Sequence, residues 1–168
     1  GGTLSFPFTT ALSLVNSDLL ANVSTTLTTF SMDATSSLNA NGKGCPGGPL
    51  SGGGLGPDPV TGICTAGAAG AGLDPVGGAG YGGAGGGSAM PSGPSATYGS
   101  AAYPYFLGSS GSVTAAGGRI LLDITGTATI EGTISANAVA DGASGGSGGS
   151  VNIRASTIMG GGSISANG

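Results

Sequence analysis

The sequence predicts an all-β fold made of short strands stacked in parallel, and three observations predict it. The first is alternation. From Arg119 to Asn137 the even positions Ile120, Leu122, Ile124, Gly126, Ala128, Ile130, Gly132, Ile134 and Ala136 are all apolar or glycine. The odd positions are mostly Asp, Thr, Glu and Ser, with Leu121 the exception. A period of two over this length marks strands with one buried face. The second observation is repetition. Ile164-Ser165-Ala166-Asn167-Gly168 echoes Ile134-Ser135-Ala136-Asn137-Ala138 and, further back, Leu38-Asn39-Ala40-Asn41-Gly42. The third is the absence of any 3.6-residue periodicity in a chain too rich in Gly, Ser and Thr for helices. One short copy with a single apolar row cannot bury that row alone, whereas stacked copies bury it continuously. The expected architecture is therefore a right-handed parallel β-helix or similar solenoid with a long glycine-rich insertion. An antiparallel β-sandwich also uses short alternating strands, but the repeated phrases favour stacking.

Composition divides the chain into three stretches of one structural domain. Residues 1–44, with few glycines, are expected to supply the first solenoid strands. Within them Leu27, Phe30, Met32, Ala34, Leu38 and Ala40 read as one copy of a strand pair across 24–42. Residues 45–118, dominated by Gly, Ala, Pro and Ser, form the insertion, expected to lie extended against the solenoid because small side chains permit close backbone approach. Residues 119–168 supply further turns. There Gly126 and Gly132 break the alternation into short strands. Val151, Ile153 and Ala155 share one parity, and Ile164 and Ala166 the other, so a corner is expected near 156–162. The step from Ile134 to Ile164 fits one turn that carries a loop at 141–150. Asn41, Asn137 and Asn167 fall at equivalent places just after a strand, where Asn tolerates left-handed backbone and stacked side chains can form a hydrogen-bonded ladder.

Glycine accounts for 39 of the 168 residues, and only 6% are charged, against a usual ~25% charged. So little charge favours collapse or assembly over a solvated, disordered chain. The formal net charge is −4, and Lys43, Arg119 and Arg154 are too far apart to make a basic patch, which excludes nucleic acid as a partner. No apolar run reaches the roughly 18 residues of a membrane-spanning helix, so no membrane insertion is expected. The opening at Gly1 rather than Met reads as a mature or excised segment. The chain has no histidine, which removes Ser-His and Cys-His nucleophiles and His-based zinc sites. Asp123 and Glu131 share a solvent-facing parity and would make a glycosidase-like pair only if a corner brought them together; otherwise they are solvated charges. No calcium β-roll repeat is present. We assign no catalytic residue, no cofactor and no metal, and expect the chain not to be an enzyme.

Cys45 and Cys64 flank a glycine-rich loop. A disulfide between them is expected, the alternative being two free buried thiols. Asn22-Val23-Ser24 is the only N-glycosylation sequon, and covalent glycans at Asn22 or on the Ser/Thr-rich stretch 24–29 are expected. Tyr81, Tyr98, Tyr103, Tyr105 and Phe106 would anchor the insertion, or the tyrosines would stack on sugar rings.

The order of several short motifs carries a resemblance. It runs from Leu38-Asn39-Ala40-Asn41-Gly42 to Gly80-Tyr81-Gly82-Gly83, Ala96-Thr97-Tyr98-Gly99-Ser100 and Tyr105-Phe106-Leu107-Gly108-Ser109. It continues through Gly117-Gly118-Arg119-Ile120, Gly132-Thr133-Ile134-Ser135-Ala136-Asn137 and Gly148-Gly149-Ser150-Val151-Asn152-Ile153. Residues 24–168 thus resemble the glycine-rich β-solenoid repeats of very large secreted or surface proteins of microbes and protists, fibrous or adhesin-type. In that pattern the tract reads Gly-His-Gly-Gly; Tyr81 stands here in the His place, so a role needing imidazole is not carried over. The resemblance implies an extracellular or cell-surface location and a structural or adhesive role.

Joining Ala166-Asn167-Gly168 to Gly1-Gly2-Thr3-Leu4 gives a phrase that reads like solenoid interior. Natural solenoids need polar caps, and none is evident here. The expected function is a structural subunit or repeat of an extracellular fibril, with the chain itself as partner in a homopolymer or tandem array. Contacts are expected through Gly1, Gly2, Leu4, Phe6 and Phe8 on one side and Ile164, Ala166, Asn167 and Gly168 on the other. A carbohydrate-binding adhesin module using Tyr81, Tyr98, Tyr103 and Tyr105 is the alternative.

Overall fold

The computed structural model describes residues 3–4, 11–48, 53–58, 60–66, 79–81, 97–139 and 145–168. Within these there are strands and turns and no helix. The strands are β1 (Thr3–Leu4), β2 (Ala11–Leu14), β3 (Asp18–Leu20), β4 (Asn22–Leu27), β5 (Thr29–Met32) and β6 (Ser37–Asn39). Next come β7 (Leu55–Pro57) and β8 (Cys64–Ala66), then β9 (Arg119–Ile124), β10 (Thr127–Ile130) and β11 (Thr133–Ser135). The last three are β12 (Ser150–Arg154), β13 (Thr157–Met159) and β14 (Ser163–Ser165).

Twelve of these build three four-stranded sheets, ordered β1-β4-β9-β12, β2-β5-β10-β13 and β3-β6-β11-β14. Every pairing within them is parallel. The chain therefore visits the first, second and third sheet in the same order four times, and each visit lays down one tier. β7 and β8 stand apart as an antiparallel hairpin.

Register puts like on like. The inward column of the third sheet is Leu19, Leu38, Ile134, Ile164. That of the second is Leu12, Phe30, Ala128, Ile158, in which small Ala128 leaves room for Phe30. The first sheet stacks Val23, Ile120 and Val151. One hydrophobic cluster draws on all three sheets, with Val23, Phe30, Leu38, Ile120, Ile134 and Ala136 among its fully buried members. Thr25, opposite Leu122, buries its hydroxyl without a partner among the described residues, at a cost of about 1–3 kcal/mol.

Each tier holds three strands, where the sequence reading of the second and fourth finds a pair. The corners explain the difference. In the third tier the breaks at Gly126 and Gly132 are the expected ones, whereas the turns at Thr28 and Ser156 give the second and fourth tiers one strand more than the sequence reading. The predicted corner at 156–162 contains a strand of its own, β13, between two corners. A bare tier is short: Ser31 bonds Ser13, 18 residues back, and Ser37 bonds Asp18, 19 residues back. The step becomes 96 from Asn41 to Asn137 and 30 from Asn137 to Asn167, because both extra segments, 40–118 and 136–149, leave from the corner between the third sheet and the first.

The corner between the second and third sheets is held by carboxylates. The Asp33 carboxylate accepts from the Ser36 hydroxyl (2.7 Å), the Thr35 amide and hydroxyl, and the Asn16 amide of the tier before (3.0 Å). These bonds, the Ser36 hydroxyl first, hold its pKa below the usual carboxylate range. Glu131 accepts from the Gly161 amide of the tier after (3.0 Å). All of β10 lies between Asp123 and Glu131, so the corner does not pair them.

Candidate functional site

The corner from which both segments leave carries a dense lobe of backbone. Gly44 donates to the Ala116 carbonyl, Ala116 to Cys45, Cys45 to Gly108, Gly108 to Gly117, Gly117 to Ser147 and Ser147 to Ser109. Such approach needs glycine. A Cβ on Gly117 would lie 1.9 Å from the Ala136 carbonyl oxygen, and one on Gly44 would lie 2.1 Å from that of Gly117. Close backbone packing of this kind involves 44–48, 108–118 and 145–149. Most of the 66–87 tract lies outside the described residues.

Cys45 and Cys64 form the expected disulfide, with Cα atoms 5.5 Å apart and a sequence separation of 19. Cys45 is fully buried in the lobe, and Cys64 lies in the β7–β8 hairpin. The bond ties hairpin to lobe beside a second tie, in which Ser110 donates its amide to Leu55 and Leu55 its amide to the Ser110 hydroxyl. In the chain-entropy picture such a link is worth roughly 3 kcal/mol.

The aromatic residues divide. Tyr81 and Tyr98 meet edge to face at 4.6 Å, and Tyr98 meets Phe106 at 5.9 Å. Tyr98 donates its hydroxyl to the Leu107 carbonyl (2.6 Å). Tyr81 bonds the Ser150 hydroxyl, which donates to Phe106. These two rings are half-buried and spend their polar ends on the lobe. Tyr103 and Tyr105 are exposed by 63% and 46%, so they alone of the four predicted sugar contacts offer open surface.

Burial raises the phenol pKa of both Tyr81 and Tyr98. A phenol that holds its proton more tightly when folded contributes stability in full below its unfolded pKa, ~10. That contribution is lost as pH rises through the folded value. Spectrophotometric titration should therefore show a tyrosine class that ionises late, with Tyr98→Phe removing part of it. Ionisation of every tyrosine near pH ~10 in the folded protein would refute this.

Asn22 lies elsewhere than the sequon suggests. It is 7% exposed. Its carbonyl oxygen accepts from the Arg119 amide (2.8 Å), and its NH2 group donates to the Lys43 carbonyl (2.9 Å). Both ends of the carboxamide work inside the corner, and the folded chain leaves no room there for a glycan. Val23 and Ser24 read as strand residues, and the sequon coincides with them.

The asparagine ladder is present in modified form. Asn41 Oδ1 accepts from the Asn137 backbone amide, and Asn137 Oδ1 accepts from that of Asn167, both at 2.7 Å. The side chains thus bond backbone, not one another. A fourth copy of the phrase, Leu19-Leu20-Ala21-Asn22, escaped the sequence reading, although Leu19 stacks on Leu38.

The fourth tier is where the predicted assembly residues can be placed. Its inward-directed Ile158 and Ile164 are exposed by 54% and 52%, whereas their stacking partners one tier below, Ala128 and Ile134, are fully buried. Ala166, Asn167 and Gly168 are exposed beside them. Gly1, Gly2, Phe6 and Phe8, and the side chain of Leu4, lie outside the described residues. Among the described residues no cluster of His, Cys, Asp or Glu could hold a metal, and no helix is long and apolar enough to cross a membrane. No family model, curated protein or solved structure matches the chain.

Proposed function

We propose that this chain is a three-sided parallel β-helix that serves as a building block of an extracellular fibril, sheath or adhesin stalk, with copies stacked head to tail. The observation that carries the reading is the contrast between tiers. The same inward column that is sealed at Ala128 and Ile134 is half open at Ile158 and Ile164. Among the described residues the outermost strands of the three sheets pair on one side only, and open strand edges favour addition of further strands. The order in which the chain visits its sheets supports the β-helix, and the disulfide suits an oxidising, extracellular setting. The role is mechanical: parallel tiers resist bending, and the lobe decorates one edge.

Negative-stain microscopy and sedimentation of the purified chain test this. Filaments growing with concentration are expected. Monodisperse particles at every concentration would overturn it. If such particles bound a glycan array through Tyr103 and Tyr105, the exposed pair would make this an adhesin module instead.

A further inference from the structure

The joint between the second and third tiers holds a chemically labile pair. Position 41 needs a short side-chain acceptor, because Asn41 Oδ1 accepts the Asn137 backbone amide at 2.7 Å. Position 42 needs glycine. Its φ is 64°, and a Cβ there would stand 2.6 Å from Val139 Cγ2, in a backbone region that side chains disfavour. With Asn as the acceptor, the fold places Asn directly before Gly. That pair is the one most open to deamidation, since no side chain hinders attack by the glycine nitrogen on the asparagine carboxamide. The next rung of the ladder differs: Asn137 is followed by Ala138, whose methyl group hinders the same attack.

Both reacting groups are occupied. The Gly42 amide donates to the Asn137 carbonyl at 3.0 Å, while the Asn41 carboxamide accepts the Asn137 amide. The Asn41 amide in turn donates to Asn39 Oδ1 at 2.8 Å. Attack would need the Gly42 nitrogen to leave its acceptor and the carboxamide to turn away from Asn137. We infer that Asn41 is a latent modification site, kept unreactive by Asn137 and released when this joint opens. In the open joint the Gly42 nitrogen loses its proton and bonds to Asn41 Cγ, the Cγ–Nδ2 bond breaks, and ammonia leaves. Water then opens the resulting cyclic imide at either carbonyl, giving aspartate or isoaspartate. Aspartate keeps an acceptor for the Asn137 amide. Isoaspartate adds an atom to the main chain before Gly42, so the Gly42 amide no longer meets the Asn137 carbonyl. Opening at the root of the long 40–118 excursion would thereby become permanent. The inference is independent of whether copies stack.

Peptide mapping by mass spectrometry tests this on the full chain, aged at one mildly alkaline pH either native or unfolded in urea. Asn41 is expected to convert at least about tenfold more slowly in the native chain, because the native rate scales with the open fraction of the joint. Equal rates would overturn the inference, and so would an Asn41 that stays intact in urea. Hydrogen exchange needs no ageing. The Gly42 amide should exchange far more slowly in the native chain than in urea, and an equal rate would overturn the shielding by Asn137.

Discussion

Gly149→Ala should destabilise the chain by about 3 kcal/mol or more. A single methyl group there would meet the Gly118 carbonyl oxygen at 1.7 Å and the Gly117 carbonyl at 2.6 Å. All of these are backbone atoms, so no rotamer change relieves the clash. Relief requires the segment before β12 to move away, which breaks the Gly149–Ala136 hydrogen bond and lifts the fourth tier. Overpacking costs about 1–3 kcal/mol where neighbours can yield; here they cannot, and the loss should be at the top of that range or beyond. Total stabilities are only about 5–15 kcal/mol. Denaturant unfolding followed by circular dichroism reads the effect. A midpoint within error of wild type would show that the two segments are not packed as described.

Phe30→Ala should cost about 3–5 kcal/mol. Phe30 is 1% exposed and heads the fully buried side chains by size. Its partners across the second sheet are Leu12 and Ala128. Ala128 is too small to collapse into the space, and parallel pairing on both sides of β5 fixes the backbone, so the cavity persists. Ala128→Leu placed with Phe30→Ala should recover part of the loss, because the two share one column. A cost under about 1 kcal/mol for Phe30→Ala would be far below the range for a buried aromatic residue. That result would refute the column.

The sequence made some of this architecture readable and hid the rest for identifiable reasons. Alternation across 119–137 located β9, β10 and β11 because inward Ile and Leu are unambiguous there. The repeated Ala-Asn phrase identified the stacking, since each tier turns the same corner. The first tier escaped because Leu14-Val15 and Leu19-Leu20 put apolar residues on both parities: Val15 and Leu20 are exposed by 67% and 61%. β13 escaped because Thr157–Met159 lies between Ser156 and Gly160–Gly162, which together resemble a single corner. The disulfide was legible from two cysteines bracketing a loop. The fate of Asn22 was not, because a sequon reports three residues and says nothing of the Lys43 carbonyl and Arg119 amide that occupy its carboxamide. The division among tyrosines was equally hidden, since it depends on Leu107 and Ser150, which come near only after folding.

Both long excursions leave between the third sheet and the first, while the described turns from the first sheet to the second, after β4, β9 and β12, and from the second to the third take only a few residues. Lengthening a loop costs little, since closure entropy grows only as the logarithm of length. Segments of very different length can therefore be accommodated at that turn without altering the pairing of the tiers. Chains that differed only there would keep one common stack of strands and vary in what they carry at a single edge.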